Sequence, residues 1–449
     1  MERTTCVVVG GGPAGIVLGL LLARAGVTVT VLEKHADFLR DFRGDTVHPS
    51  TMTLIDELGL WPRFARLPWK PIETTQVVLD AGSATLGDLR RLRRLGQPHP
   101  FVAMVPQWHL LDMLAGAAEE EPGFTLVRDA EVVDLRRAGG RVTGVRWRDR
   151  SSAGGAEHEL AADLVVACDG RGSRVRELSG LPVHDFPVPM DVWWFRLPRG
   201  DGTGDPAGGI GRVSDGRLVV MLDRGDHYQV AYLIPRGADA AYRRQPVQVL
   251  RDDMRRLHPW LGDRVDGLRS WDDVKLLAVT LDRLRRWSAP GVLCVGDAAH
   301  AMSPIGGVGI NLAVQDAVAA ARYLGPLLAC APADPAAVDR AAARVQRRRW
   351  LPTAATQAAQ RVAHRVVVRA VLGATAPTPG GDRLPAPLRL LRRVPALQVV
   401  PAYLVGVGVL PERAPMWARR GAQETGPQDA GAKNSSALPS GSVKDSAQP

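Results

Sequence analysis

Hydrophobic positions along the chain fall into three patterns. Short, largely β-branched runs occur at residues 7–9, 27–32, 165–168 and 292–295. Runs apolar on both faces predict central strands of a parallel sheet, and each of these stops at a glycine or an acid, as such strands do where they meet a ligand. Helical spacing governs residues 16–25, 246–257, 311–328 and 108–121, where Leu110, Leu111, Leu114 and Ala118 share one face. Alternation predicts a hairpin from 131–135 and 141–147 around Gly139-Gly140, and an antiparallel sheet from 191–197, 217–222 and 228–234. Residues 72–79 and 274–281 read as strands entering and leaving that sheet. Together the elements predict an α/β architecture.

The first apolar run opens into Gly10-Gly11-Gly12-Pro13-Ala14-Gly15. Gly10 permits a tight turn, Gly12 lets the backbone approach a pyrophosphate, and Gly15 allows the next helix to pack closely. The helix supplies free N–H groups and a positive dipole end for phosphates. The second run ends at Glu33, whose carboxylate suits a ribose 2′-OH and disfavours a 2′-phosphate, so this site predicts the adenosine of FAD or NAD. Two further strand ends follow, Cys168-Asp169-Gly170 and Gly296-Asp297-Ala298-Ala299-His300. Three such sites predict one long cofactor held at several points. No second complete dinucleotide fingerprint is present, because 209–214 lacks a preceding apolar strand and a following helix and reads as a turn.

In order and spacing these motifs resemble the flavoprotein aromatic hydroxylase family over about residues 3–325. The resemblance implies a glutathione-reductase-type FAD domain with an inserted antiparallel-sheet substrate domain and C-terminal helices. It implies FAD as cofactor, NADPH or NADH as electron donor, and hydroxylation of an aromatic or polyketide-like small molecule by O₂ through a flavin C4a-hydroperoxide. By position, FAD contacts fall to Gly10, Gly12, Pro13, Ala14, Gly15, Glu33, Lys34, Arg43, Gln107, Val132, Asp169, Gly170, Gly296, Asp297, Gly307, Gly309, Ile310 and Asn311. Arg43 also matches a residue that positions the nicotinamide. The segment Ser303-Pro304-Ile305-Gly306-Gly307-Val308-Gly309 offers backbone N–H groups at a helix start, which suits the electron-rich edge of a reduced flavin. Pro304 retains the proline nearer the flavin. His48 is a candidate base for a phenol, or else a capping or core histidine. Trp194, Arg196, Met221 and Tyr232 are candidate substrate contacts, with core packing the default for each; alternation puts Trp194 and Arg196 on one face.

Domain organisation follows. Residues 1–70, 105–182 and 285–345 are expected to form the FAD domain, 71–104 and 183–284 the substrate domain, 346–420 a C-terminal helical region, and 421–449 a disordered tail. Residues 90–94 read as a solvated charged loop, and helical pieces are expected to about Val371. The apolar stretch 394–410 is broken by Pro395, Pro401, Gly406 and Gly408 and is too short for a transmembrane span. Two expectations stand for it: a lid over the substrate domain, or contact with a membrane surface beside Arg389, Arg392 and Arg393.

Composition narrows the partners. The 449 residues carry a net charge of +10, yet the arginines are scattered and mostly beside acids, which argues against nucleic acid. The four cysteines show no metal spacing, and Cys6, Cys168 and Cys294 fall within apolar strands; a reducing cytoplasm suits them. No metal site is expected, and oligomeric state stays open. Epoxidase, oxidase and halogenase chemistry are alternatives on the same scaffold. Residues 230–235 lack both tryptophans of a halogenase W-x-W-x-I-P strand. A non-enzymatic carrier should have lost its cofactor residues, and this chain keeps them.

Overall fold

The computed structural model describes residues 2–39, 45–151, 154–200, 205–330, 332–371 and 384–420, and for 366–371 the backbone only. Arg43 and the expected tail 421–449 lie outside the described residues.

The β-branched runs pair with one another. A six-stranded sheet has the order Ser288–Ala289, Val292–Cys294, Leu164–Ala167, Cys6–Val9, Val29–Leu32, Phe124–Val127. Its strands are parallel except the first, and Cys294, Ala167, Val9, Leu32 and Val127 stand level across it. The carboxyl ends therefore form one straight edge, and the segments that follow them emerge side by side. Helices Pro13–Arg24, Gln107–Glu119 and Gly309–Leu328 cover this cofactor sheet. The resulting core is the largest of the molecule.

The second large sheet has seven strands, in the order Lys275–Leu277, Met190–Pro198, His227–Pro235, Arg217–Asp223, Gly209–Ser214, Thr74–Leu79, Gly82–Asp88. One face packs on the amphipathic helix Gln248–Leu257, burying Trp193, Phe195, Val219, Met221, Tyr232 and Met254. The other face looks toward the carboxyl edge of the cofactor sheet and forms a roof.

Several expectations change here. Gly209–Ser214 is a strand, not a turn, pairing parallel with Thr74–Leu79 and antiparallel with Arg217–Asp223. Its glycines hide the alternation, so its conformation comes from the neighbouring strands. Residues 90–94 belong to the 3₁₀ helix Leu89–Leu95, with Leu89 and Leu92 buried beneath the C-terminal segment. Arginines mask those two apolar anchors in sequence. Within 274–281 only Lys275–Leu277 is strand. The expected helical pieces are one helix, Pro335–Val371, which runs through Pro352.

Candidate active site

The level strand ends bring the three glycine motifs together. Gly10 adopts φ +102°, and a Cβ there would lie 2.6 Å from the Cys168 carbonyl oxygen. A Cβ on Gly15 would lie 1.9 Å from the Gly10 oxygen, so helix and turn are in contact. Gly12 is different: a Cβ would meet nothing within 4 Å, because this side of the turn faces open space. Gly12 caps the helix without a side-chain bond, and Pro13 occupies the first turn, where a missing N–H costs nothing. The backbone N–H groups of Ala14 and Gly15 thus begin a helix end directed at the open space.

Glu33 is buried and latched to the same turn. One carboxylate oxygen accepts the Gly11 N–H at 2.8 Å and the other the His35 N–H at 3.1 Å. Lys34 is exposed at the cavity mouth, and Val132 and Gln107 line the wall. The Gln107 N–H donates to Asp45, which pairs with Arg224 at 3.2 Å. At the second strand end, Asp169 Oδ2 accepts the Val175 N–H at 3.2 Å while Oδ1 is buried without a partner. Burial raises the Asp169 pKa. Gly170 follows at φ +82°, with empty space where a Cβ would be.

At the third strand end Asp297 faces the cavity, 3.9 Å from the Arg171 guanidinium. Removal from bulk water raises its pKa and Arg171 opposes the rise. Behind it lies a network that sequence reasoning missed. Asp316, fully buried in Gly309–Leu328, accepts from the Gly296 N–H at 3.1 Å, His300 at 2.5 Å and Arg349 at 2.9 Å. Burial alone would raise the Asp316 pKa; His300 and Arg349 hold it below the ordinary value. The available signal was a lone acid within an alanine-rich buried helix, a position that demands a partner.

The Pro304 to Gly309 segment closes the floor. Gly306 and Gly307 take φ +83° and +64°, and the Gly307 carbonyl accepts from Thr46 Oγ1 at 3.2 Å and His48 Nε2 at 2.9 Å. Pro304, Gly307, Gly309 and Ile310 line the cavity. His48, for which two roles were expected, is buried. Burial pushes its pKa down to about 4, so it is neutral near pH 7, and its Nε2 proton is committed to Gly307. This contact makes the ring a strut for the loop, in keeping with the core alternative. Asn311 departs from expectation: its Oδ1 accepts from Ser50 at 2.6 Å and Thr51 at 2.9 Å, tying two helices together outside the cavity lining.

On the roof, register decides which candidates face inward. Trp194 stands opposite Ala231, which stands opposite Val220, which stands opposite Gly211, which stands opposite Val77. All five line the cavity. Tyr232 pairs with Trp193 on the reverse face, where its hydroxyl donates to Asp253 at 2.8 Å. Met221 lies on that face too, so both fall in the core; strand alternation excludes them from the cavity. Arg196 shares Trp194's face but is exposed beyond the lining.

The C-terminal segment covers the opening between roof and floor. Helices Ala386–Arg393 and Val399–Gly406 present Leu388, Leu391, Pro401, Ala402 and Val405 to the cavity. The cavity has a volume of about 1720 Å³ and runs without a break from the Gly10 turn to the roof. Pockets for drug-sized ligands are about 300–1,000 Å³. One such ligand would leave much of this space empty.

Residues 3–357 match the family described as FAD binding domain. The chain belongs to the FAD-dependent aromatic hydroxylase family. It is an FAD-dependent monooxygenase. The 6-methylpretetramide 4-monooxygenase of Streptomyces rimosus is 35% identical over 324 residues, spanning 71% of this chain and 74% of the relative. A probable FAD-dependent monooxygenase of Pseudomonas aeruginosa, PqsL, has the same fold, with TM-score 0.68 and 21% identity over 82% of this chain and 97% of that one. So does a myxobacterial chondrochloren halogenase, with TM-score 0.67 and 19% identity over 89% and 91%. A fold shared by hydroxylase and halogenase does not choose the reaction.

The residues of this FAD-dependent monooxygenase fit FAD on geometric grounds. The bare side of Gly12 and the helix starts at Ala14 and Gly309 open on the same cavity, which Asp169 and Asp297 also line. Among the described residues no cluster suits a metal ion.

Proposed function

We propose that this enzyme hydroxylates a flat, polycyclic, polyketide-like aromatic compound with O₂, drawing electrons from NADH or NADPH. The observation that carries the reading is the single cavity of about 1720 Å³, polar and glycine-rich along the cofactor sheet and apolar along the roof. The relative acting on 6-methylpretetramide supports the substrate class.

In this reading Glu33 accepts hydrogen bonds from the adenosine ribose, and Gly12 with the first turn of Pro13–Arg24 receives the pyrophosphate. Gly10 and Gly15 shape that turn, and Lys34 and Val132 flank the adenosine. Asp297 and Gln107 hold the linking chain, while Asp169 and Gly170 lie along it. Arg43 positions the nicotinamide. Gly307, Gly309 and Ile310 present backbone N–H groups to the ring edge, with Pro304 beside them and Gly296 shaping the approach. FAD supplies the redox chemistry, activating O₂ for transfer of one oxygen atom to the substrate. The protein orients the partners and excludes water, the second task falling to Pro401, Ala402 and Val405.

Among the described residues, no titratable side chain of the roof strands lines the cavity. A ring that is electron-rich in itself, as a phenolic polyketide is, needs no base from that wall. Halogenation is the weaker reading, since residues 230–235 contain no tryptophan and residues 193–198 are only a loose echo of that strand. Buried free thiols at Cys6 and Cys294 suit a cytoplasmic compartment. The test is direct. Purified protein should be yellow, a polycyclic phenol should raise NAD(P)H consumption, and product formed under ¹⁸O₂ should carry the label. Consumption without labelled product for any phenol tried, ending only in H₂O₂, would instead mark an oxidase.

A further inference from the structure

The cover has a second face. Leu390, Val394, Leu397, Val400 and Leu404 are 51%, 41%, 37%, 53% and 52% exposed. Leu390 lies on the first C-terminal helix, Val394 and Leu397 at the 3₁₀ turn Pro395–Gln398 that follows, and Val400 and Leu404 on the second helix; none of the five lines the cavity. Exposed apolar residues that occur singly need no explanation, but a contiguous row rimmed by charge marks an interaction surface. The rim here is Arg389, Arg392 and Arg393, and no Asp or Glu occurs from 384 to 411. The next acid, Glu412, is buried and already holds Arg322 at 2.5 Å and Arg348 at 2.6 Å.

We propose that this face docks on an anionic lipid surface. An apolar stripe edged by arginines, lying flat and too short to span, has the chemistry of an interfacial element. Among the described residues no helix is long and apolar enough to cross a membrane. A second copy of the chain fits less well. A two-fold contact through the stripe would bring six guanidinium groups together with no carboxylate between them. Docking also places the cover, whose inner face bounds the cavity, against the phase into which a polycyclic aromatic partitions. The proposal does not rest on the substrate assignment, because membrane binding is read without turnover.

The experiment uses full-length, FAD-loaded protein and sedimentation with vesicles of phosphatidylcholine alone or with 30% phosphatidylglycerol. Binding is expected to the anionic vesicles, about tenfold or more above the neutral ones at low salt, and to fall as salt rises. Arg392→Glu/Arg393→Glu should weaken it at least as much. Leu397→Ser/Val400→Ser/Leu404→Ser should abolish it, while flavin content and NAD(P)H oxidation with a soluble phenol, measured without vesicles, stay at the wild-type level. Absence of binding to either vesicle would overturn the proposal. So would equal binding to both, or a dimer in sedimentation velocity that the triple serine variant dissociates. Binding only to an acidic protein, with none to lipid, would overturn it as well.

Discussion

The wall formed by the cofactor sheet and the wall formed by the roof enclose one cavity but are made differently. On the cofactor side, backbone groups do the work. Glycines sit where a Cβ would strike a carbonyl, helix starts leave N–H groups free, and acids such as Glu33 and Asp316 are fixed by several donors. On the roof, side chains do the work: Trp194, Val220, Val77 and Leu233 offer shape and no charge. A wall of backbone donors fits one ligand and tolerates little change. A wall of apolar side chains selects by size and can be altered without unfolding.

The largest expected effects probe the rigid side. Gly15→Ala places a methyl 1.9 Å from the Gly10 oxygen, so it should give protein that is misfolded or free of flavin. Gly12→Ala meets nothing in the protein and takes an ordinary extended backbone, so the fold should survive with melting close to wild type. Its flavin content should nevertheless collapse, because the methyl occupies the approach used by the pyrophosphate. Normal flavin absorbance in Gly12→Ala would remove the reason for calling this wall the cofactor's.

Asp316→Asn comes next. It leaves Arg349 and the Gly296 N–H with a weakened partner in a fully buried site. Breaking such a buried pair costs about 3–5 kcal/mol. A clear fall in melting temperature and loss of FAD are expected, although Asp316 itself stands behind the Asp297 loop. An unchanged flavin affinity would show that the Asp297 loop needs no such support.

The two walls also differ in how far they were legible. Gly10, Gly15 and Glu33 were readable because a turn, a close helix and a strand end fix their roles within about 30 residues of chain. Asp316 was not, because its partners His300 and Arg349 come together only in the folded state. On the roof, alternation put Trp194 and Arg196 together, but nothing local said which face was inward, and Met221 and Tyr232 proved to be core. Gly209–Ser214 was misread for a related reason: without side chains on alternate positions, a strand has no visible period. A one-residue error in register exchanges the two faces.

His48, beneath the Gly307 loop, offers a pH test. Its pKa falls from 6.5 to about 4 on folding, so the unfolded chain binds more protons in that interval. The stabilisation by the neutral ring is fully present above pH 6.5 and is lost as pH falls toward 4. The full shift corresponds to about 3 kcal/mol. Denaturant unfolding from pH 7 to 4 should show this slope in wild type and a smaller one in His48→Gln. The variant should keep substrate-stimulated turnover near pH 7 if the ring is a strut. A loss of turnover restored by added imidazole would return His48 to the role of base.

The smallest effect on stability is expected on the roof, at Gly211. A Cβ there meets nothing nearer than 3.7 Å, its backbone is unstrained, and it lies on the cavity face between Val220 and Val77. Gly211→Leu should fold, bind FAD and melt within about 1 kcal/mol of wild type. The added side chain fills space that a multi-ring substrate would occupy and a single phenol would not. KM for a tetracyclic phenol should rise about tenfold or more, the scale on which a pocket discriminates small changes in apolar volume. KM for a one-ring phenol should hardly move. A similar change for both compounds would mean that the substrate lies elsewhere under the roof, and that the breadth of this wall has nothing to do with ring number.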